Sequence, residues 1–235
     1  MNKQSRYIGK AIVIAALLLS LQSCFADYSA EAIEGWLVDE DTGKPIEGAN
    51  VTANWTVEEG NLAGTNTGGQ IQILETVTDK NGRFFFPAWG PKPLPPKKNG
   101  WWVDQYIGYE DPRMVFFKSG YKLVSASNYA VSERNTARTR RSEWNGKTIK
   151  MKNLADQKKE YEESLSAARS ALRFAFDASG CDWQHIPRML AAVIKEMEKL
   201  RQPGKYNPLL TVDVGSIPET SQCARPQDYL REYLK

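Results

Sequence analysis

The stretch "GWLVDEDTGKPIEGANVTANWTV", from Gly35 to Val57, decides the fold class. In its second half Val51, Ala53, Trp55 and Val57 alternate with Thr52, Asn54 and Thr56. A period of two sends the first set to one face of an extended chain and the second to the other, so the pattern predicts a strand with one dry face. The first half, from Gly35, reads as another strand. Between them Asp41, Gly43, Pro45 and Gly48 supply side-chain turn bonds, positive φ and fixed φ, so the chain reverses here.

Working outward, 235 residues that are 41% apolar and 11% aromatic make one large domain or two small ones with a filled core. The formal charge of +3 comes from Lys3, Arg6 and Lys10, because the other 28 basic residues (31 minus 3) equal the 28 acidic ones. A neutral working protein lacks the net positive face that releases counterions from phosphates, which argues against nucleic acid as a partner.

Those three cations precede "AIVIAALLLSL", an apolar run too short to span a bilayer as a mature helix. Residues 1–26 therefore read as an export signal. It ends in "LQSC", Leu21 to Cys24, which resembles the lipobox of bacterial lipoproteins; that resemblance implies lipidation at Cys24 and, with Phe25 following, the outer membrane. A rival cleavage after Ala26 would release a periplasmic or secreted protein beginning at Asp27. Either way Cys181 and Cys223 are the thiols left in an oxidising compartment, and they are expected to pair.

Beyond the opening stretch, Asp27 to Glu31 reads as a polar lead, and Glu58 to Gln70 as a Gly-, Asn- and Thr-rich loop that is long for a hairpin. "IQILETVTDKNGRFFF" predicts strands over Ile71–Thr78 and Arg83–Phe86 around a tight turn at Asp79–Gly82. "MVFFKSGYK" resumes the sheet at Met114, and "KTIKMK" alternates as a closing edge strand.

Three of these motifs in order, "IEGWLVDEDTGKPIEGANVT", "TVTDKNGRFFF" and "MVFFKSGYK", resemble the carboxypeptidase regulatory-like domain, a transthyretin-like β-sandwich. The resemblance covers about half the chain. It implies a seven-stranded or similar antiparallel sandwich over residues 27–152 and no reaction, since such domains accompany many proteins as non-catalytic modules. A zinc carboxypeptidase site needs more than one His, and His185 stands alone.

Pro87 to Arg113 departs from that pattern. Its prolines disfavour a central strand and predict an extended insertion at an edge or end of the sandwich. Trp89, Trp101, Trp102, Tyr106 and Tyr109 crowd into it and form the candidate ligand platform, for stacking on a sugar or seating a protein partner; alternatively they fold the insertion back over the core. Arg134, Arg138, Arg140 and Arg141 form either an anion-facing patch or a solvated loop.

From Ala155 the period becomes 3.6. Tyr161, Leu165, Ala168, Leu172 and Phe176 mark one helix; Ile186, Met189, Leu190, Val193, Ile194 and Met197 mark a second. The expectation for 153–235 is a helical hairpin with Cys181 at its bend, then an extended tail pinned by Cys223 and closed by a short helix from Pro226. The fold class is thus α+β: a β-sandwich, a helical hairpin and an extended tail.

No catalytic constellation, cofactor motif or metal motif emerges. Asp39, Glu40, Asp41, Asp79 and Asn81 would make an oxygen-rich calcium site if their turns adjoin, although turn residues in water explain them more simply. Two functions remain. The first is a non-catalytic envelope protein, anchored to the membrane by lipid if Cys24 is acylated, that binds a protein or glycan. The second is a polysaccharide hydrolase using scattered carboxylates, which would converge in a cleft.

Overall fold

The computed structural model describes residues 27–61, 64–100, 102–108, 110–128, 138–177, 180–204 and 207–235. Cys24 and the rest of the leader, together with Trp101, Tyr109 and Arg134, lie outside the described residues. Among the described residues the chain is α+β, with three sheets and a few short helices. In order the strands are β1 (Asp27–Ala30), β2 (Ile33–Asp39), β3 (Asn50–Asn61), β4 (Gly64–Val77), β5 (Arg83–Phe86), β6 (Trp89–Pro93), β7 (Asp104–Ile107), β8 (Arg113–Phe117), β9 (Val124–Ala126), β10 (Thr139–Arg140) and β11 (Lys147–Met151).

The largest sheet has the order β4-β3-β8-β9, with β7 also paired to β3; β11-β2-β5 and β10-β1-β6 make the other two. The alternation in β3 holds over its first half, where Val51, Ala53, Trp55 and Val57 are at most 1% exposed. All but Val57 share an apolar cluster with Leu37 of β2, Phe84 and Phe86 of β5, Met114 and Phe116 of β8, and Ile149 and Met151 of β11. Two sheets thus close face to face on one core, a sandwich-like arrangement.

The opening stretch does not form a hairpin. β2 pairs with β5 and β11, while β3 pairs with β4, β7 and β8, so the Glu40–Ala49 connection carries the chain from one sheet to the other. The expectation of a purely antiparallel sandwich is also corrected: β11 runs parallel to β2, and β10 parallel to β1. Asp27–Ala30, read as a polar lead, is β1, paired with β6 out of the proline-rich insertion. β6 bears Pro91 and Pro93 at the edge of its small sheet, where a missing N–H costs no ladder bond.

The motif turns interlock. The Asp39 carboxylate accepts from the backbone N–H groups of Asp41 and Thr42 and from the Thr42 hydroxyl, bonds that hold it below the ordinary carboxylate range. Asp79 accepts from the N–H groups of Asn81 and Arg83. The Thr78 hydroxyl donates to Ile46 O at 2.6 Å and accepts from Ala49 N at 2.8 Å, tying the two turns together. Gly82 sits where they meet: its φ is +71°, and a Cβ there would lie 2.3 Å from Leu37 O. The turns adjoin, and the Asp39 and Asp79 oxygens serve the backbone of their own turns.

The C-terminal third covers the other face of the large sheet. α1 (Lys158–Ser166), α2 (Ala168–Ala171) and a 3-10 turn at Arg173–Phe176 replace the single first helix, and α3 (Pro187–Leu200) is the second. Their stripes pack on Ile73, Val115, Phe117 and Leu123, so sheet and helices share one core. Polar bonds stitch the layers together. Tyr161 OH accepts from Gly120 N, Ser164 Oγ from Leu123 N, and Glu196 Oε2 from Ser119 Oγ. α3 has no side-chain cap of its own; Glu75 of β4 supplies one, accepting from Met189 N at 2.7 Å and Arg188 N at 3.2 Å.

Cys181 and Cys223 form a disulfide, with Cα atoms 5.5 Å apart. Around it Trp183, fully buried, meets Tyr229 edge-on at 5.3 Å, and Tyr229 OH donates to Gln184 O. The tail and α4 (Pro226–Tyr229) are therefore fastened beside the 3-10 turn at Asp182–His185, which leads into α3. Among the described residues no helix is long and apolar enough to cross a membrane.

Candidate functional site: an aromatic arm and the cavity at its root

Past Val57 the β3–β4 hairpin continues as a polar arm. Glu58 to Gln70 is expected as a loop, but its described residues 58–61 and 64–70 are strand, paired through Asn61↔Gly64 and carrying β7 on the flank from Val57↔Ile107 to Gly60↔Asp104. No apolar period marks it because β-structure here is held by ladder bonds and one buried carboxylate. Glu59, 1% exposed, accepts from Lys98 N (2.8 Å), Asn99 N (3.0 Å), Asn99 Nδ2 (2.7 Å) and Gln105 Nε2 (2.8 Å). Burial alone would raise its pKa; these four bonds outweigh burial and leave it below the ordinary value. They clamp residues 98–100 and 102–105 onto the arm.

That segment carries the expected aromatic residues, which divide. Trp102 is 63% exposed and Tyr106 is 37% exposed. The Trp102 ring lies against the backbone of Gly100, where a Cβ would come within 2.6 Å of it. Trp89 does not join them, which corrects its place in the platform: it is buried in the core, 5.4 Å from Trp55 in an edge-on pair. The reason is its position on β6, whose pairing with β1 turns that side chain inward.

The arginine cluster also divides. Arg140 is buried and its Nη2 donates to Gly108 O; Arg141 pairs with Glu31 at 2.7 Å. Beside Arg140, Asn128 donates to Asp111 O and Arg141 O. Asp111, 2% exposed, accepts from Thr56 N at 2.7 Å at the bulge in β3. Burial pushes its pKa up to about 7, against the pull of the Thr56 bond and of Arg113 and Arg140. Sequence reading missed this node, since a "DP" pair reads as a turn.

Where the arm leaves the sheet, a cavity of about 400 Å³ opens between the β3–β4 surface and the Arg169–Asp177 segment. Asn54, Thr56 and Gln70 form part of one wall. Arg113, Arg169 and Arg173 line it with Phe174 and Phe176. Thr56 Oγ1 donates to Gln70 Oε1 at 3.0 Å, and Arg169 sits 4.7 Å over the Phe176 ring. Nothing in the sequence drew attention to this site, because its arginines come from separate segments. Among the described residues no group of His, Cys, Asp and Glu is arranged to hold a metal.

No protein-family model and no curated protein matches this chain. Among solved structures it is similar to 3-chlorocatechol 1,2-dioxygenase from Rhodococcus opacus 1CP, at 15% identity and a TM-score of 0.30, over 56% of this chain and 61% of that one. It is also similar to a 9R-lipoxygenase from Cyanothece PCC8801, at 13% identity and a TM-score of 0.22, over 76% of this chain and 27% of that one. The chain spans less than two thirds of either protein, and likeness this weak transfers no chemistry.

Proposed function

We propose that this chain is an exported, non-catalytic binding module of the cell envelope, anchored through Cys24 at the outer membrane, that engages a glycan through the aromatic arm. The carboxypeptidase regulatory-like reading of residues 27–152 belongs to the same proposal: a scaffold that presents surfaces. The observation that carries it is Trp102, a large aromatic residue left 63% exposed between the Asn99 and Gln105 contacts that Glu59 makes. An exposed indole held in place is what carbohydrate stacking uses, and ordering the arm in advance reduces the entropy cost of binding. The disulfide supports the address, because such bonds persist in oxidising compartments.

The test is retention of the purified chain on insoluble cell-wall polymer, comparing the native protein with Trp102→Ala and Tyr106→Ala. The substitutions should abolish retention while leaving the melting temperature unchanged. Undiminished retention of both refutes the platform. Mass spectrometry of the mature N-terminus tests acylation of Cys24 independently.

A further inference from the structure

We propose that the cavity at the root of the arm binds a small organic acid: one carboxylate or phosphate group on a scaffold about the size of a sugar ring. The walls select an anion. Arg113, Arg169 and Arg173 face a space in which Asp177 is the one carboxylate among the described lining residues. Arg113 is already paired with Glu110 at 3.0 Å, and Arg169 leans on Phe176; Arg173 has no ion pair among the described residues. Guanidinium forks match carboxylate and phosphate oxygens two at a time, so cations gathered around a concavity read as an anion seat.

Phe174 and Phe176 line the cavity beside the arginines and offer apolar surface to the scaffold that carries the acid, while Thr56 and Gln70 add polar surface to the wall. The volume falls in the ~300–1,000 Å³ range of small-molecule sites, and at the low end suits a single sugar ring or a ligand of similar size.

Acidic sugars carry this chemistry in two forms, as uronates and as sugar phosphates, and the experiment separates them. Isothermal titration of the purified full chain with galacturonate, glucose 6-phosphate and neutral galactose should give binding to one or both acids and none to galactose. Arg173→Ala, at an exposed position, should weaken the bound acid at least tenfold without changing the melting temperature. Arg169→Ala, also at an exposed position, should weaken it comparably. Binding of galacturonate alone assigns a carboxylate, and of glucose 6-phosphate alone a phosphate. Failure of both acids to bind, equal binding of galactose, or affinity unchanged in Arg173→Ala overturns the proposal. Trp102→Ala should leave these titrations unchanged, so the outcome is independent of the arm.

Discussion

Replacing Asp111 by Asn should make the protein's stability less dependent on pH, with a sign that the structure fixes. The Asp111 carboxyl is 2% exposed, and burial raises its pKa from 3.8 to about 7 even though Thr56 N, Arg113 and Arg140 favour the charged form. The fold therefore prefers the neutral acid. In the unfolded chain the same group loses its proton near its ordinary value. Between about pH 4 and 7 the native state holds a proton that the unfolded state has released, so stability is greatest below that window and falls as pH rises through it. The interval from 3.8 to about 7, at about 1.36 kcal/mol per pH unit, comes to about 4 kcal/mol.

An asparagine keeps an oxygen for Thr56 N and carries no charge at any pH. Asp111→Asn should accordingly match the native protein near pH 4 and exceed its stability by as much as about 4 kcal/mol near pH 8. Urea denaturation of both proteins across that range gives the difference directly. Glu75 and Asp182, raised by burial, and Glu196, held low by the Ser119 and Lys199 bonds that outweigh its burial, titrate in both proteins and cancel. A difference constant with pH to within about 0.5 kcal/mol would refute the assignment of a buried, proton-holding carboxyl.

Three further outcomes are expected. Glu75→Ala removes the cap from α3 and should cost about 1–2 kcal/mol in denaturant titration, with faster amide exchange at Arg188 and Met189. Reducing the Cys181–Cys223 bond, or changing both residues to Ser, opens a crosslink spanning 42 residues and should cost about 4 kcal/mol on the chain-entropy model, read as a drop in melting temperature. Glu59→Gln converts an acceptor of four bonds into a mixed group and should speed exchange at the Lys98 and Asn99 amides roughly tenfold or more.

What the sequence disclosed and what it hid divide along a physical line. Legible features were those set by local chemistry: the β3 alternation, the Asp79–Gly82 turn, the helical stripes and the paired late cysteines. Hidden features were those set by partners distant in sequence. Arm residues 58–61 and 64–70 form strands through the β3–β4 ladder, β7 and Glu59, and no local pattern announces that. β1 exists because β6 and β10 lie on either side of it. Trp89 and Trp102 look alike in the sequence, yet one pairs in the core and the other lies open on the arm. The expected first helix is divided after Ser166 into α1, α2 and the 3-10 turn at Arg173–Phe176.

The polar face of β3 is likewise set by a partner distant in sequence. Thr52, Asn54 and Thr56 alternate with the core residues and read as a face toward water, but the helical layer covers it, leaving Thr52 fully buried and Asn54 5% exposed. Neither Thr52 Oγ1 nor Asn54 Oδ1 finds a hydrogen-bond partner there. An unpaired buried polar atom costs about 1–3 kcal/mol, whereas an apolar group of the same shape costs almost nothing. Thr52→Val, which keeps the shape, should therefore stabilise the protein by about 1 kcal/mol. Asn54→Leu should likewise not destabilise it. If Thr52→Val destabilises the fold by more than about 1 kcal/mol, its hydroxyl is satisfied in solution and the same reasoning fails for Asn54.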